Sequence, residues 1–142
     1  MEISTAKEID FQSKLLLAVR IALALVWLYN GLWLKVIELD AHHLKIVAAA
    51  ASGSGMQPEF LLRLIGSCET LLALGILSGL FFRFVNYFQI FIVLAMNLVG
   101  GISSGGEIPH PFGLIISNLP LIMCALVLIH FGPGALALRF KR

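Results

Sequence analysis

The sequence predicts an all-α fold: an integral membrane four-helix bundle with both termini cytoplasmic. Three observations carry that expectation. Of the 142 residues, 59% are hydrophobic and 13% charged. That is about half of the ~25% charge content usual in soluble domains, too little to clothe a water-exposed surface. Four stretches reach or approach the roughly 20 apolar residues that a membrane-crossing helix needs; they lie at about 15–36, 60–82, 84–101 and 112–131. None of them alternates apolar and polar residues as the strands of a membrane barrel do. The same composition argues against intrinsic disorder, which requires low hydrophobicity and high net charge. A net charge of +2, scattered along the chain, does not suit nucleic acid. A single membrane domain over 1–142 is expected, with the lipid bilayer as its first partner.

The first helix begins near Leu15 and contains Arg20 and Asn30. Its flank mixes Glu2, Glu8 and Asp10 with Lys7 and Lys14, and its apolar stretch exceeds a signal-peptide core, so it reads as a permanent helix. The run Ala48–Ala51 resembles a cleavage site but lies too far downstream. Trp27, Tyr29 and Trp33 gather toward the outer end, where interfacial aromatic anchors are expected. Arg20 lies about six residues from the cytoplasmic end, within snorkelling reach of the headgroups. The stretch from Lys35 to Glu59 reads as an outer loop. Within it Ser52-Gly53-Ser54-Gly55 forms a flexible linker, and Pro58 stands just ahead of the next helix.

The second helix carries Arg63 and Glu69, and the third carries Asn86, Gln89 and Asn97. Only a short turn around Arg83 separates them, so they form an antiparallel hairpin. Gly75 and Gly79 have the four-residue spacing that lets helix backbones approach. Gly100, Gly101, Gly105 and Gly106 mark the second outer loop, and the fourth helix contains Asn118, Pro120 and His130. Four crossings place both termini on one side, together with Lys7, Lys14, Arg83, Arg139, Lys141 and Arg142. On the other side Lys35, Lys45 and Arg63 are offset by Glu38, Asp40, Glu59 and Glu107. Positive charge in short loops marks the cytoplasm, which puts the termini inside.

Ionisable groups in membrane helices are costly and usually face the bundle interior with partners. Glu69 lies nine residues or so into its span, about 13 Å deep at 1.5 Å per residue, where an isolated carboxylate would take up a proton. Asn30, Arg63, Glu69, Asn97 and Asn118 all fall in the outer half, and Lys35, Glu38 and His110 lie at or above the rim. Two readings stand at this point. Either these residues line a polar pocket opening outward between the helices, or they form a hydrogen-bond network that fixes helix register. No pair of histidines sits at matched depth within the helices, so haem is not expected. A metal site from His42, His43, His110 and Glu107 is geometrically conceivable, but the expectation is no metal. There is no phosphate loop, nucleotide fingerprint or nucleophile motif, so catalytic residues stay unassigned and flavin is not expected. Cys68 and Cys124 read as small hydrophobes, about 10 Å apart in depth by helical rise, too far for a disulfide.

Arg63-x-x-Gly66-x-x-Glu69, followed by Gly79-x-x-x-Arg83, resembles the DoxX family of small four-helix membrane proteins. Gly31-Leu32-x-x-Lys35, His110-Pro111-x-Gly113 and Asn118-Leu119-Pro120 resemble a DoxX-like subgroup. The resemblance runs from about Tyr29 to Pro120. It implies a membrane subunit of a redox system, since the family takes its name from the membrane subunit of a thiosulfate:quinone oxidoreductase. It also implies a bacterial cytoplasmic (inner) membrane as the location, and Arg63, Glu69, Lys35, His110 and Asn118 as members of a shared site.

Three functions follow as expectations. A quinone-interacting subunit would hold the headgroup in the outer pocket, with Glu69 and His110 exchanging protons and Arg63 or Lys35 polarising a carbonyl oxygen. A redox-protein subunit or a homo-oligomer would complete it. A non-catalytic scaffold for another membrane protein would need no ligand. A small-solute carrier ranks last, because four helices are few and no inverted repeat is visible.

Overall fold

The computed structural model describes residues 2–103 and 110–138. Among them every regular element is helical: α1 (Glu2–Leu28), a π-helical segment (Tyr29–Ile37) continuing it, α2 (Ala41–Ala50), α3 (Pro58–Ser78), α4 (Phe82–Ser103) and α5 (Pro111–Phe131). Four stretches are long and apolar enough to cross a membrane: Lys7–Ile37, Pro58–Ser78, Phe82–Ile102 and Phe112–Phe131. These are the four expected spans. The first is longer than the apolar pattern indicates, because its polar flank is also helical, and there Lys14 donates to Asp10 at 2.6 Å across one helical turn.

The expected outer loop is corrected at its centre, where residues 41–50 are helical. Alanine has the highest helix propensity, and Asp40 caps the new helix by accepting a hydrogen bond from the His43 backbone. The Ser/Gly linker begins only beyond Ala51, where Gly53 and Gly55 adopt positive φ. Pro58 occupies the first turn of α3, as expected.

The core packs Leu23, Ala24 and Trp27 of α1 against Leu72, Ala73 and Ile76 of α3, with Val93 and Leu128 from the two later helices. Trp27 is thereby buried, which corrects its expected role as an interfacial anchor; Tyr29 and Trp33 remain exposed. The Trp27 indole donates to Gln89 Oε1 at 3.0 Å, Gln89 donates to Asn86 Oδ1 at 2.7 Å, and Asn86 donates to the Phe82 carbonyl at 2.8 Å. A buried indole N–H needs an acceptor, and this chain of amides supplies one.

The closest helix approach is also not where the glycine spacing put it. Gly75 faces only the Val85 methyls, at an ordinary 3.5 Å, and Gly79 ends α3 at φ 72°. The tight crossing lies between the π-helical segment and α3. A β-carbon on Gly66 would stand 2.6 Å from the Gly31 carbonyl oxygen, and one on Gly31 would stand 2.7 Å from Glu69 Cβ. Backbone on backbone cannot yield as a flexible side chain can. Gly66→Ala should therefore cost about 1–3 kcal/mol, read as a lower midpoint of thermal unfolding in detergent. Gly75→Ala serves as the contrast and should be nearly silent.

Arg20 does not snorkel. It is 1% exposed, and its guanidinium donates to the carbonyls of Pro133, Ala135 and Leu136 at 2.8, 3.0 and 3.2 Å. The segment after α5 folds back over α1, where the Ala135 N–H donates to the Ser13 carbonyl at 3.0 Å and the Leu138 N–H to the Ser78 carbonyl at 2.9 Å. A β-carbon on Gly134 would stand 2.6 Å from the Ser13 oxygen. The planar guanidinium has five donors, enough to gather three backbone carbonyls of one segment.

Candidate functional site

In the half of the bundle away from the termini, the helices enclose a cavity of about 320 Å³. Its walls are mostly apolar, with Val26, Ile65, Val93, Met96, Leu114 and Leu121 among the lining residues. Each element contributes polar groups for a local reason. Asn30 stands where α1 becomes π-helical, and its side chain donates back to the Val26 carbonyl at 2.9 Å. Lys35 is in the π-helical segment, which buries Gly31 and Lys35 against α3. Single-turn π-helical insertions are rare and frequent at functional sites. Here the segment is nine residues long, and Leu39, two residues beyond its end, adopts φ 53°.

Glu69 faces Lys35 from α3, and the two side chains form a buried ion pair in which Lys35 Nζ donates to Glu69 Oε1. Neither residue is more than 4% exposed. Lys35 is thus not at the rim, where its sequence position placed it: the helix continues to Ile37 and carries it into the protein. Glu69 is correspondingly not an isolated carboxylate. Gly66 makes the pair possible, because only a residue without a β-carbon lets Lys35 Cβ approach so closely.

On the opposite wall, Asn118 of α5 donates to Asn97 Oδ1 of α4 at 2.9 Å. Two buried polar atoms remain without partners in this cavity, the Glu69 Oε2 acceptor and the Asn97 Nδ2 donor. Unpartnered buried polar atoms are rare and call for an explanation. α2 closes one side, with His43, Ile46 and Val47 on the cavity wall. The His43 ring lies 2.7 Å from Asp40 Oδ1. Hydrogen bonds from the backbone and ring of His43 hold the Asp40 carboxyl below the usual carboxylate range.

Of the seven residues singled out from the sequence, Asn30, Lys35, Glu69, Asn97 and Asn118 line this cavity. Arg63 and His110 are not among its lining residues. Arg63 is exposed and donates to the Val36 carbonyl at 2.8 Å, tying α3 to the π-helical segment from outside. His110 is exposed just ahead of α5. Glu107 and the termini that carry Arg139, Lys141 and Arg142 lie outside the described residues. Among the described residues no three His, Cys, Asp or Glu side chains converge as a metal site would require. Sequence reasoning missed Trp27 and His43 as lining residues. The only signal for His43 was its three-residue spacing from Asp40 ahead of an alanine-rich run.

The model of the DoxX-like family matches residues 24–126, which takes in the π-helical segment, α2, α3, α4 and most of α5. No curated protein matches the chain, and no solved structure does.

Proposed function

We propose that this chain, which belongs to the DoxX-like family and has four helices long and apolar enough to cross a membrane, is a quinone-interacting subunit of a membrane redox system. In this reading the cavity holds the headgroup, a redox-protein subunit supplies the electrons, and the membrane is the bacterial cytoplasmic one. The observation that carries it is the pair of unpartnered atoms in a mostly apolar cavity: one acceptor on Glu69 and one donor on Asn97. Lys35 and Glu69 neutralise one another, so the cavity suits an uncharged ligand with oxygens at its edge. A charged ligand would have to be desolvated without a counter-charge.

The residues fit such a group. Asn97 Nδ2 can donate to a ring oxygen in either redox form. Glu69 Oε2 can accept from a hydroxyl, so it favours the reduced form and offers a place for the proton that form releases. Lys35 holds the carboxylate in place. When bound, a quinone supplies two-electron, two-proton exchange. His43 stands on the cavity wall in the position the sequence had assigned to His110, so proton exchange with the aqueous side is reassigned to it.

Trp27 lines the cavity and reports on occupancy. Titrating the detergent-extracted protein with ubiquinone-1 should give a saturable quenching of tryptophan fluorescence that is absent from Trp27→Phe. Asn97→Leu, which removes the free donor and fills the space, should weaken it about tenfold, the value of one to two hydrogen bonds. Linear quenching that is equal in wild type and Trp27→Phe would overturn the reading. The cavity would then be structural, and the protein a scaffold for another membrane protein.

A further inference from the structure

At the opposite end of the bundle from the cavity, Arg83 and Tyr87 of α4 face His130, Leu126 and Ile129 of α5 across a cleft of about 550 Å³. We propose that this cleft is a binding site for an anionic phospholipid, with the phosphate on Arg83 and an acyl chain on Leu126. The proposal is independent of the quinone reading.

Three features point to it. The first is uncompensated charge. Across Phe82–Ser103 and Pro111–Phe131 there is no Asp or Glu, and Arg83 is the one fully charged residue. Among the described residues Arg83 makes no ion pair, and Arg83, Tyr87 and His130 spend no side-chain donor on a protein acceptor. A guanidinium fork, a phenol and an imidazole are all free to meet one group, and phosphate oxygens match the fork in pairs.

The second feature is placement. The His130 and Phe131 rings stand edge to face, with centroids 4.7 Å apart and planes at 80°, and Arg83 and Tyr87 are one helical turn apart on the same face of α4.

The third is the gradient along the helix axes. Arg83 lies at the start of α4 and His130 in the last turn of the antiparallel α5, so both stand at the membrane face. Leu126 lies one turn deeper, about 6 Å at 1.5 Å per residue. Polar at the rim and apolar below is the order of a phospholipid. A free phosphate would find nothing in the lower half. Basic pockets between membrane helices are a recurrent way of holding anionic headgroups, and a choline headgroup would add a cation beside Arg83.

Native mass spectrometry on protein reconstituted in an equal mixture of phosphatidylglycerol and phosphatidylcholine tests it. The expected result is a retained phosphatidylglycerol adduct at about fivefold preference, moving toward parity in Arg83→Gln. Tyr87→Phe removes only a hydroxyl without disturbing the fold, and should also reduce the preference. Lys14→Gln, a cation at the same end but outside the cleft, should leave it intact. Parity in the wild type would overturn the proposal, as would an equal loss in Lys14→Gln. Displacement of the adduct by millimolar inorganic phosphate would assign the cleft to a soluble anion and overturn it too.

Discussion

Replacing Lys35 by methionine should destabilise the protein by about 3–5 kcal/mol, the cost of removing one partner from a buried ion pair. Glu69→Leu alone should cost a similar amount. The reason is the environment. Lys35 and Glu69 are almost wholly enclosed, and the remaining charge would lose its counter-ion. The double variant Lys35→Met/Glu69→Leu should recover most of the loss, because a well-packed apolar pair is often as stable as the buried salt bridge it replaces. Reversible unfolding of all four proteins in detergent gives the coupling free energy directly. If the two single losses simply add in the double variant, the pair is not coupled and the geometry described above is wrong. Ubiquinone-1 titration of the recovered double variant separates stability from binding: it should fold and yet lose the saturable quenching of Trp27, since Glu69 Oε2 is gone.

Arg20→Met should produce the second large loss, about 4 kcal/mol, from three carbonyl hydrogen bonds to a charged donor, each worth about 1.5–3 kcal/mol before water re-enters the site. Its effect should also be local. The carbonyls of Pro133, Ala135 and Leu136 anchor the segment after α5 onto α1 and the end of α3. Backbone amide exchange at Ala135 and Leu138 should therefore accelerate by far more than in the core of α3. Arg20→Lys should rescue only part of the stability, because an ammonium is a point donor and cannot span three carbonyls as a planar fork does. Unchanged exchange in Arg20→Met would mean that the backbone contacts to Ser13 and Ser78 hold the segment by themselves.

Much of the candidate site was legible in the chain because polar residues are rare in its spans. Asn30, Glu69, Asn97 and Asn118 stood out against apolar surroundings, and counting helical rise placed them at similar depth. Arg63 shares that depth but not that direction, and His110 stays exposed ahead of α5. Depth follows from residue number, whereas azimuth around a helix depends on packing, and Arg63 points away from the cavity toward the Val36 carbonyl. Arg20 shows the same limit in reverse. Its closeness to the helix end suggested headgroups, but the carbonyls that claim it are more than a hundred residues away in the chain.

The sequence by itself determined the architecture, because apolar length, the near absence of charge within the spans and the position of Pro58 are local properties that lipid and backbone geometry read directly. Only the tertiary structure decided which polar groups meet. The Lys35–Glu69 pair needs the π-helical turn and the contact of Gly31 with Gly66, and the Trp27–Gln89–Asn86 chain needs two helices in one register. Such pairings are set by the packing of surfaces that are distant in sequence. Every apolar helix face offers several alternatives of nearly equal merit until the close-packed one excludes the rest.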